Sequence, residues 1–142
     1  PQFALKAAAA IQRQPSGPIA FPIQGDGRQT RAFVHIDDFT DGLLCVISRG
    51  QHLNIYHIGN PEEITISDLA QKVVRSLGRE AMIESSPTPP GGTTRRCPDI
   101  RKLAALGYKP KISIDAGLPS TVKWYAAHAD VRPQPRAVKE ES

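Results

Sequence analysis

Apolar side chains recur along this chain with helical spacing in some stretches and with strand-like alternation in others. Residues 2–13 are rich in alanine, contain no Gly or Pro, and place Phe3 and two alanines on one helical face. The clearest amphipathic pattern follows Thr65 and Ser67, either of which is a suitable N-terminal cap, and it stops at Gly78. The periodicity predicts five helices, over residues 2–13, 38–48, 66–77, 99–106 and 114–125.

Short apolar or alternating runs between these helices predict strands. The first run contains Pro22, which lacks a backbone N–H, so its strand is expected at the edge of a sheet. Asp37 or Asp38 is expected to cap the helix that follows the second run. The predicted strands cover residues 19–23, 31–36, 53–58 and 81–84. Because helices and strands alternate, the fold class is α/β.

The chain has 142 residues, which is enough for one domain with a buried core and too short for two of ordinary size. We expect residues 1–128 to form the folded part, with a Pro/Gly/Ser/Thr loop over residues 85–94. Residues 129–142, where prolines, arginines and terminal acids accumulate, are expected to be a disordered tail. The sequence starts at Pro1, inside a helical pattern and without Met, which favours a fragment of a longer protein.

Charge and composition narrow the possible partners. Lys and Arg number 18 against 14 Asp and Glu, a net charge of +4, without the clustered basic face and interleaved aromatics that nucleic-acid binding needs. The longest purely apolar run, Ala7–Ile11, is too short to span a membrane. Cys45 and Cys97 are not spaced as Cys-x-x-Cys, and no signal peptide is visible, so we expect a reduced, cytoplasmic protein. Neither nucleic acid nor a membrane is an expected partner.

The most informative segment is a polar turn with two glycines, Gly25-Asp26-Gly27, which leads through Arg31 into a predicted strand. Such a turn brings one guanidinium to the end of a strand. The guanidinium is a planar fork of N–H donors that matches two phosphate oxygens at a time. The segment therefore predicts phosphate binding by Arg31. By spacing alone, Arg31 also fits a simpler ion pair with Asp26 or Asp37.

Six motifs follow one another between Pro1 and about Tyr125. They are Gly25-Asp26-Gly27-x-Gln29-Thr30-Arg31-x-Phe33-Val34-x-Ile36-Asp37-Asp38, Asn54-Ile55-x-x-Ile58-Gly59, Ile64-Thr65-Ile66-x-x-Leu69-Ala70, Arg95-Arg96-x-x-Asp99-Ile100-x-Lys102, Leu106-Gly107-Tyr108-x-Pro110 and Gly117-Leu118-x-x-Thr121-Val122-x-Trp124-Tyr125. In this order and spacing, the series resembles the second half of the extended short-chain dehydrogenase/reductases that act on nucleotide sugars. That family includes UDP-glucose 4-epimerase, UDP-glucuronate decarboxylase and dTDP-glucose 4,6-dehydratase.

The resemblance implies a site for a nucleotide-diphospho-sugar. It implies that Arg31 contacts the substrate diphosphate, and that an arginine near Arg95 or Arg96 also approaches it. It further implies that the segment Pro22-Ile23-Gln24 lies beside the nucleotide base.

The resemblance also implies an NAD(P)-binding Rossmann domain that precedes this smaller substrate domain. The helix over residues 38–48 and the strand over residues 53–58 are implied to pack against that cofactor domain. The intact enzyme is expected to be a homodimer that uses NAD or NADP.

Two features depart from the family pattern. Residues 90–93 read Pro-Gly-Gly-Thr where some epimerases carry Arg-x-Gly-Asp, so the nucleotide contacts of that arginine and aspartate are absent or replaced. Gln24 stands where several epimerases place an aromatic residue against the base. Because an amide stacks poorly, the resemblance leaves the identity of the nucleotide base open. The stretch Arg95-Arg96-Cys97-Pro98-Asp99 is more similar to that of UDP-glucuronate decarboxylases.

The catalytic motifs of the family are not in this sequence. The family binds its cofactor pyrophosphate with a Gly-x-x-Gly-x-x-Gly turn and uses a Tyr-x-x-x-Lys pair as acid and base. None of Tyr56, Tyr108 and Tyr125 has a lysine four residues on. We therefore expect no catalytic, cofactor-binding or metal-binding residue in this chain, and no catalysis by the chain alone.

These observations favour the C-terminal part of an NAD(P)-dependent nucleotide-sugar epimerase, dehydratase or decarboxylase, an isomerase or lyase of carbohydrate biosynthesis. Its predicted substrate-binding residues are Arg31, Gln24, Arg95 and Arg96. The alternatives are a non-catalytic binding or assembly module derived from such an enzyme, or one chain of a split enzyme.

Several polar groups also have simple structural interpretations. Arg95 and Arg96 fit a solvated pair on a flexible loop. The Asp37-Asp38 pair favours helix capping over a metal site, because no His or further carboxylate stands at ligand spacing. Asp99 is expected to cap the fourth helix. Cys97 follows two arginines, a setting that can lower a thiol pKa, but no Cys-x-x-Cys or His partner accompanies it.

Overall fold

The computed structural model describes residues 1–87 and 91–129, so the predicted disordered tail lies, from residue 130 on, outside the described residues. The helices are α1 (Gln2–Arg13), α2 (Ile36–Arg49), α3 (Ile66–Ser76), α4 (Arg101–Ala104) and α5 (Ile114–Ala127). The strands are β1 (Ile19–Gln24), β2 (Thr30–Ala32), β3 (Glu63–Thr65), β4 (Ala81–Ser86) and β5 (Arg95–Arg96). This mixture of helices and short strands confirms the α/β fold class.

The strands form two small sheets. β1 and β4 pair in parallel, from Ile19 opposite Ala81 to Gln24 opposite Ser86. The second sheet has the order β3–β2–β5, in which β2 is antiparallel to β3 and parallel to β5. In the described part of the chain β1 has only β4 beside it, which confirms the edge position predicted from Pro22.

The hydrophobic core lies between the first sheet and the helices α1, α3 and α5. Alternate side chains of β1 point into it, and Ile19, Phe21 and Ile23 are at most 3% exposed. The ring of Phe3, from α1, meets Phe21 edge-on with the ring centroids 5.3 Å apart. Complete burial of each such side chain contributes about 1.5–3 kcal/mol to folding. From the other two helices, the core receives Ala70, Val73, Val74 and Val122.

A guanidinium holds the loop between α1 and β1. Arg79, just after α3, donates hydrogen bonds to the carbonyl oxygens of Gln14, Pro15 and Gly17, with N–O distances of 3.1, 2.9 and 3.1 Å. These carbonyls lie at or beyond the end of α1, where backbone oxygens lack helical partners. One arginine, with its five N–H donors, thus fixes the loop beside the start of the β1–β4 pairing.

A buried carboxylate ties α2 to the segment before α5. Asp38 is 1% exposed, and its two oxygens accept hydrogen bonds from the backbone N–H groups of Lys111 and Ile112, each at 2.9 Å. A buried carboxylate is tolerated only with such partners. Close by in sequence, the Tyr108 hydroxyl donates to the carbonyl of Gly59 at 2.9 Å, so the same region is anchored twice.

The capping predicted for α2 is wrong. The helix begins at Ile36, and its N-cap is His35, whose Nδ1 accepts a hydrogen bond from the backbone N–H of Asp37 at 3.3 Å. The Asp37 side chain is exposed, and Asp38 uses its carboxylate on a distant segment. Because the helix and its cap take residues from 35 on, the strand predicted over residues 31–36 shortens to β2.

The strand predicted over residues 53–58 is also wrong. The segment is irregular, Leu53 has a φ of +57°, and the side chains of Leu53 and Ile55 are 92% and 79% exposed. An extended segment becomes a strand only when a neighbouring backbone pairs with its N–H and C=O groups. Within residues 1–87 and 91–129, no strand lies beside it.

The fourth helix is shorter than predicted, since α4 covers one turn only. Asp99, two residues before it, accepts hydrogen bonds from the backbone N–H of Arg101 at 3.0 Å and from its guanidinium at 2.6 Å. These bonds to Arg101 lower the pKa of Asp99 to about 2. The predicted cap is wrong, because the N-cap of α4 is Ile100, but the Asp99 carboxylate still holds the first helical residue.

An ion pair joins the two outer strands of the second sheet. The carboxylate of Glu63, in β3, accepts hydrogen bonds from the guanidinium of Arg95, in β5, with N–O distances of 3.0, 3.1 and 2.6 Å. The hydroxyl of Thr30, in the strand between them, donates to the same carboxylate at 2.7 Å. The hydrogen bonds from Arg95 and then Thr30 lower the pKa of Glu63, and the bond to Glu63 raises the pKa of Arg95.

Replacing Asp38 by Ala is expected to lower the free energy of unfolding by roughly 3 kcal/mol, because two backbone N–H groups lose a buried carboxylate as acceptor and α2 loses its tie to the segment before α5. The matched control is Asp37→Ala, which removes an exposed carboxylate one residue away and is expected to cost less than about 1 kcal/mol. Urea denaturation followed by circular dichroism measures both. Equal losses in the two variants would contradict the role given to Asp38.

Replacing Glu63 by Gln is expected to reduce the acid sensitivity of the fold. The folded-state pKa of Glu63 lies below its ordinary value of 4.5. Its charged form therefore stabilises the fold above that value, and the contribution is lost as the pH falls through the lowered pKa. The urea midpoint of Glu63→Gln should change less than that of the wild type between about pH 6 and about pH 3.

The control for this measurement is Glu62→Gln, because Glu62 is an exposed neighbour with the same side chain. It should follow the wild-type pH dependence. Parallel curves for the wild type and Glu63→Gln would show that the ion pair with Arg95 does not contribute.

Candidate functional site

The glycine turn before β2 sits on the N-terminal end of α3. Gly25 and Gly27 have φ values of +72° and +79°, in the left-handed region that favours glycine. A Cβ atom on Gly27 would lie 2.6 Å from the Ile23 side chain and 2.9 Å from Cβ of Ser67. Glycine at this position therefore permits both the turn and its close approach to the helix.

The turn also occupies the free backbone donors of α3. The N–H groups of the first three helical residues donate to the carbonyl of Gln29, the carbonyl of Gly27 and the hydroxyl of Thr65, each at 3.0 Å. This identifies Thr65, of the two predicted candidates, as the N-cap. Because these donors are already paired, the end of α3 offers little to an anion, and anion binding near the turn depends on side chains.

Arg31 lies in β2 directly after the turn. Its guanidinium donates hydrogen bonds to the carbonyl oxygens of Thr30 at 2.6 Å and Thr93 at 2.8 Å. A carbonyl oxygen orients a guanidinium without neutralising its charge, whereas a carboxylate would do both. Arg31 is therefore held by backbone oxygens, and no carboxylate of the described residues pairs with its charge.

The simpler ion pairs considered for Arg31 are wrong. Asp26 lies 3.6 Å from the guanidinium of Arg28, and Asp37 lies 3.6 Å from the ring of His35. The first carboxylate also accepts the backbone N–H of Arg28 at 2.9 Å, which stabilises the turn itself. Both aspartates serve local structure.

A cavity of about 470 Å³ lies between the start of α1, the ends of β1 and β4, and the glycine turn. Its polar lining consists of Gln2, Lys6, Gln24, Gln29, Arg31 and Ser86. The cavity thus brings together two of the predicted substrate-binding residues, Gln24 and Arg31. Two cations and no carboxylate are among the described residues that line it, so the cavity favours an anionic ligand.

The pairing register separates the two neighbouring arginines of β5. Arg96 lies opposite Arg31, and Arg95 lies opposite Thr30. Side chains directly opposite each other share one face of a sheet, and successive side chains alternate between faces. Arg96 therefore shares the face of Arg31, while Arg95 is on the other face in its ion pair with Glu63. Neither arginine of β5 is among the described residues that line the cavity.

Cys97 follows these arginines but is not an activated thiol. Burial, and then the Glu63 carboxylate, raise the pKa of the Cys97 thiol by more than Arg95 lowers it. Its Sγ donates to the carbonyl of Pro61 at 3.6 Å. The arginine beside Cys97 therefore does not lower its pKa overall, because Arg95 is paired with a carboxylate that also acts on the thiol.

α2 and the segment after it present large apolar side chains to solvent. Exposed fractions are 66% for Ile36, 57% for Leu44 and 73% for Ile47. A second cavity, of about 560 Å³ and mainly apolar, opens between residues 33–36 and α5. Sequence patterning identified this helix but gave no sign of which face would lack a partner. Such a surface is typical of an interface with another domain or chain.

Two other kinds of site find no support in residues 1–87 and 91–129. No three His, Cys, Asp or Glu side chains there are grouped so as to hold a metal ion. No helix there is both long enough and apolar enough to cross a membrane.

Comparison with known proteins agrees with the motifs. The family model for the NAD dependent epimerase/dehydratase family matches residues 3–59. GDP-L-fucose synthase 1 of Arabidopsis thaliana is 38% identical over 103 residues, which are 72% of this chain and 32% of that protein. UDP-glucuronic acid decarboxylase 2 of the same plant is 36% identical over 117 residues, 82% of this chain and 25% of that protein.

A solved structure extends this agreement to the fold. The crystal structure of DesIV, a dTDP-glucose 4,6-dehydratase from Streptomyces venezuelae with NAD and TYD bound, matches with a TM-score of 0.73 and 31% sequence identity. The match covers 88% of this chain and 38% of that one. The chain spans about a quarter to a third of the length of the curated relatives named above. The family expected from the motifs is thereby confirmed: this chain belongs to the NAD-dependent epimerase/dehydratase family, within the extended short-chain dehydrogenase/reductases.

Proposed function

We propose that this chain is the substrate-binding part of a nucleotide-sugar epimerase, dehydratase or decarboxylase, and that it holds the diphosphate of a nucleotide-diphospho-sugar. The observation that carries the proposal is the guanidinium of Arg31, which two carbonyl oxygens hold and which lines a cavity that has no carboxylate among the described residues. GDP-L-fucose synthase, UDP-glucuronic acid decarboxylase and dTDP-glucose 4,6-dehydratase are all named for nucleotide sugars, which supports this ligand class.

Arg31 is suited to bind phosphate before any ligand arrives. Arginine has five N–H donors, of which the carbonyl contacts to Thr30 and Thr93 use two. Because these contacts already restrict the side chain, less rotamer entropy is lost when a phosphate binds. Its proposed task is to position the sugar, since an arginine side chain stays protonated in proteins and does not act as an acid or base.

Arg96 is the second cation of the proposed diphosphate site. It lies opposite Arg31 on the same face of the sheet. Arg95 is already neutralised by Glu63, so binding a phosphate would require breaking that bidentate pair. Of the two arginines that the motif left open, Arg96 is therefore the better supported.

In this proposal the NAD(P) cofactor is held by residues outside the described part of this chain. The turn at Gly25 and Gly27 leads into a strand, and its carbonyls face the N–H groups of α3. It therefore does not fit a dinucleotide pyrophosphate, which needs a turn that opens into a helix N-terminus. A bound nicotinamide would supply hydride transfer, while Arg31, Arg96 and Gln24 would hold the substrate.

The exposed face of α2 is proposed to be covered by the cofactor-binding domain, in the same chain or in a separate one. Ile36, Leu44 and Ile47 expose more than half of their surfaces. A binding module that functions by itself would have no reason to present such a face to water. This surface favours the substrate-domain interpretation over a self-sufficient module.

Replacing Arg31 or Arg96 by Ala is expected to weaken binding of UDP or dTDP to this chain by roughly tenfold or more, since each charge-assisted contact is worth about 1.5–3 kcal/mol. Arg95→Ala is the matched control, with the same loss of charge one residue away, and should change affinity by less than about threefold. Titration followed by NMR chemical shifts measures the dissociation constants. If the wild type binds neither nucleotide, the proposed function is wrong, and if Arg95→Ala weakens binding more than Arg96→Ala, the assignment is reversed.

Replacing Leu44 and Ile47 together by Gln is expected to reduce self-association of this chain and its binding of the dye ANS. Both effects are expected because an exposed apolar face, here that of α2, associates with other molecules and with apolar dyes. Met82→Gln is the control, since Met82 is 55% exposed on β4, away from α2. Sedimentation velocity measures the first effect and dye fluorescence the second. A wild-type chain that is monodisperse and binds no dye would contradict the proposed docking face.

A further inference from the structure

The cavity beside Arg31 contains a second cation that the proposed diphosphate site does not use. Lys6, on α1, is one of the residues that line this cavity. Its Nζ donates to the carbonyl of Pro22 and lies 4.9 Å from the centre of the Phe21 ring. Among the ion pairs formed within residues 1–87 and 91–129, none includes Lys6.

The residues that line this cavity beside Lys6 combine apolar side chains with polar groups, a lining suited to a neutral ring with a polar edge. Its apolar walls include Phe3, Pro22 and Ile23. The backbone at its rim is fixed, because the Gln29 amide donates to the carbonyl of Gln24 at 2.7 Å, and the hydroxyl of Ser86 donates to the carbonyl of Ile23 at 2.8 Å. If Arg31 holds the diphosphate, the rest of the same cavity is available for the base of the nucleotide.

We propose that Lys6 is a specificity-determining residue that donates a hydrogen bond to a keto oxygen on the nucleotide base. The proposal rests on the proposed function, because it assumes a nucleoside diphosphate in this cavity. Lys6 has three N–H donors and no acceptor, and the carbonyl of Pro22 takes one of the donors. Uracil, thymine and guanine carry a keto oxygen where cytosine and adenine carry an amino group. Against an amino group, the ammonium would face another donor.

Burial strengthens this selection. Partial burial lowers the pKa of Lys6, because its ammonium loses part of its hydration beside Pro22 and Phe21. A poorly hydrated donor gains more from a ligand acceptor, and loses more when the ligand offers none. Lys6 therefore selects against an amino-bearing base rather than merely adding affinity for every nucleotide.

The test uses UDP and CDP, which differ at the base position that carries either the keto oxygen or the amino group. Dissociation constants for this chain are measured by NMR titration or calorimetry. The wild type is expected to bind UDP about tenfold tighter than CDP, or more. In Lys6→Met, which keeps the length and apolar stem of the side chain, the ratio should fall to within about threefold.

Three further variants separate this role from a structural one. Arg31→Ala should weaken UDP and CDP alike and leave their ratio unchanged. Lys72→Met, which removes a lysine paired with Asp115 outside the cavity, should change neither affinity nor ratio. Lys6→Gln, whose amide both donates and accepts, should narrow the ratio as Lys6→Met does, and serves if the Met variant unfolds.

The outcomes distinguish the two proposals. If the wild type binds neither UDP, dTDP nor CDP, the proposed function is wrong and the role of Lys6 falls with it. If the wild type binds nucleotides but does not prefer UDP to CDP, or if a folded Lys6 variant keeps the preference, only the assignment of Lys6 is overturned.

Discussion

The close approach of Gly27 to the first turn of α3 is the contact on which the candidate site depends. A single added carbon on Gly27 would overlap the side chains of Ile23 and Ser67. The same turn supplies backbone oxygens to the helix, so the helix end and the turn stabilise each other. Arg31 follows Gly27 by four residues, so the turn also fixes the position of the Arg31 backbone. The geometry of the cation is thus determined by backbone contacts, which tolerate changes in the surrounding side chains.

The three arginines near the cavity carry the same charge, yet their surroundings give them different roles. Arg31 contacts only carbonyl oxygens, so its charge stays available. Arg95 is matched by a carboxylate and ties one edge of the second sheet to the other. Arg96 lies on the same face of the sheet as Arg31, away from Glu63, which pairs with Arg95. The alternation of side chains along β5 therefore places the ion-paired Arg95 on one face of the sheet and Arg96 on the face of Arg31.

Local signals in the sequence were sufficient for part of this architecture. α1, α3 and the Thr65 cap follow from composition, spacing and a capping residue, all within one segment. β3 and β5 were missed because strands of three and two residues exist only through partners more than thirty positions away. Long-range hydrogen bonds and strand register cannot be predicted from residues adjacent in sequence. For this reason the sequence did not predict the role of Asp38 and did not distinguish Arg95 from Arg96. The wrong strand over residues 53–58 has the right composition and lacks only a backbone beside it.

The parallel pairing of Ile19 with Ala81 has a consequence for how the chain reaches its fold. Two strands so distant in sequence must lose the entropy of a long loop before their hydrogen bonds compensate for it, which slows folding compared with local contacts. Arg79 lies two residues before Ala81 and donates a hydrogen bond to the carbonyl of Pro15, in the loop that precedes β1. Its guanidinium holds the chain at the start of the pairing, whereas the cavity lies at the opposite end of the two strands, so the long-range pairing of β1 with β4 has to be complete before the cavity exists.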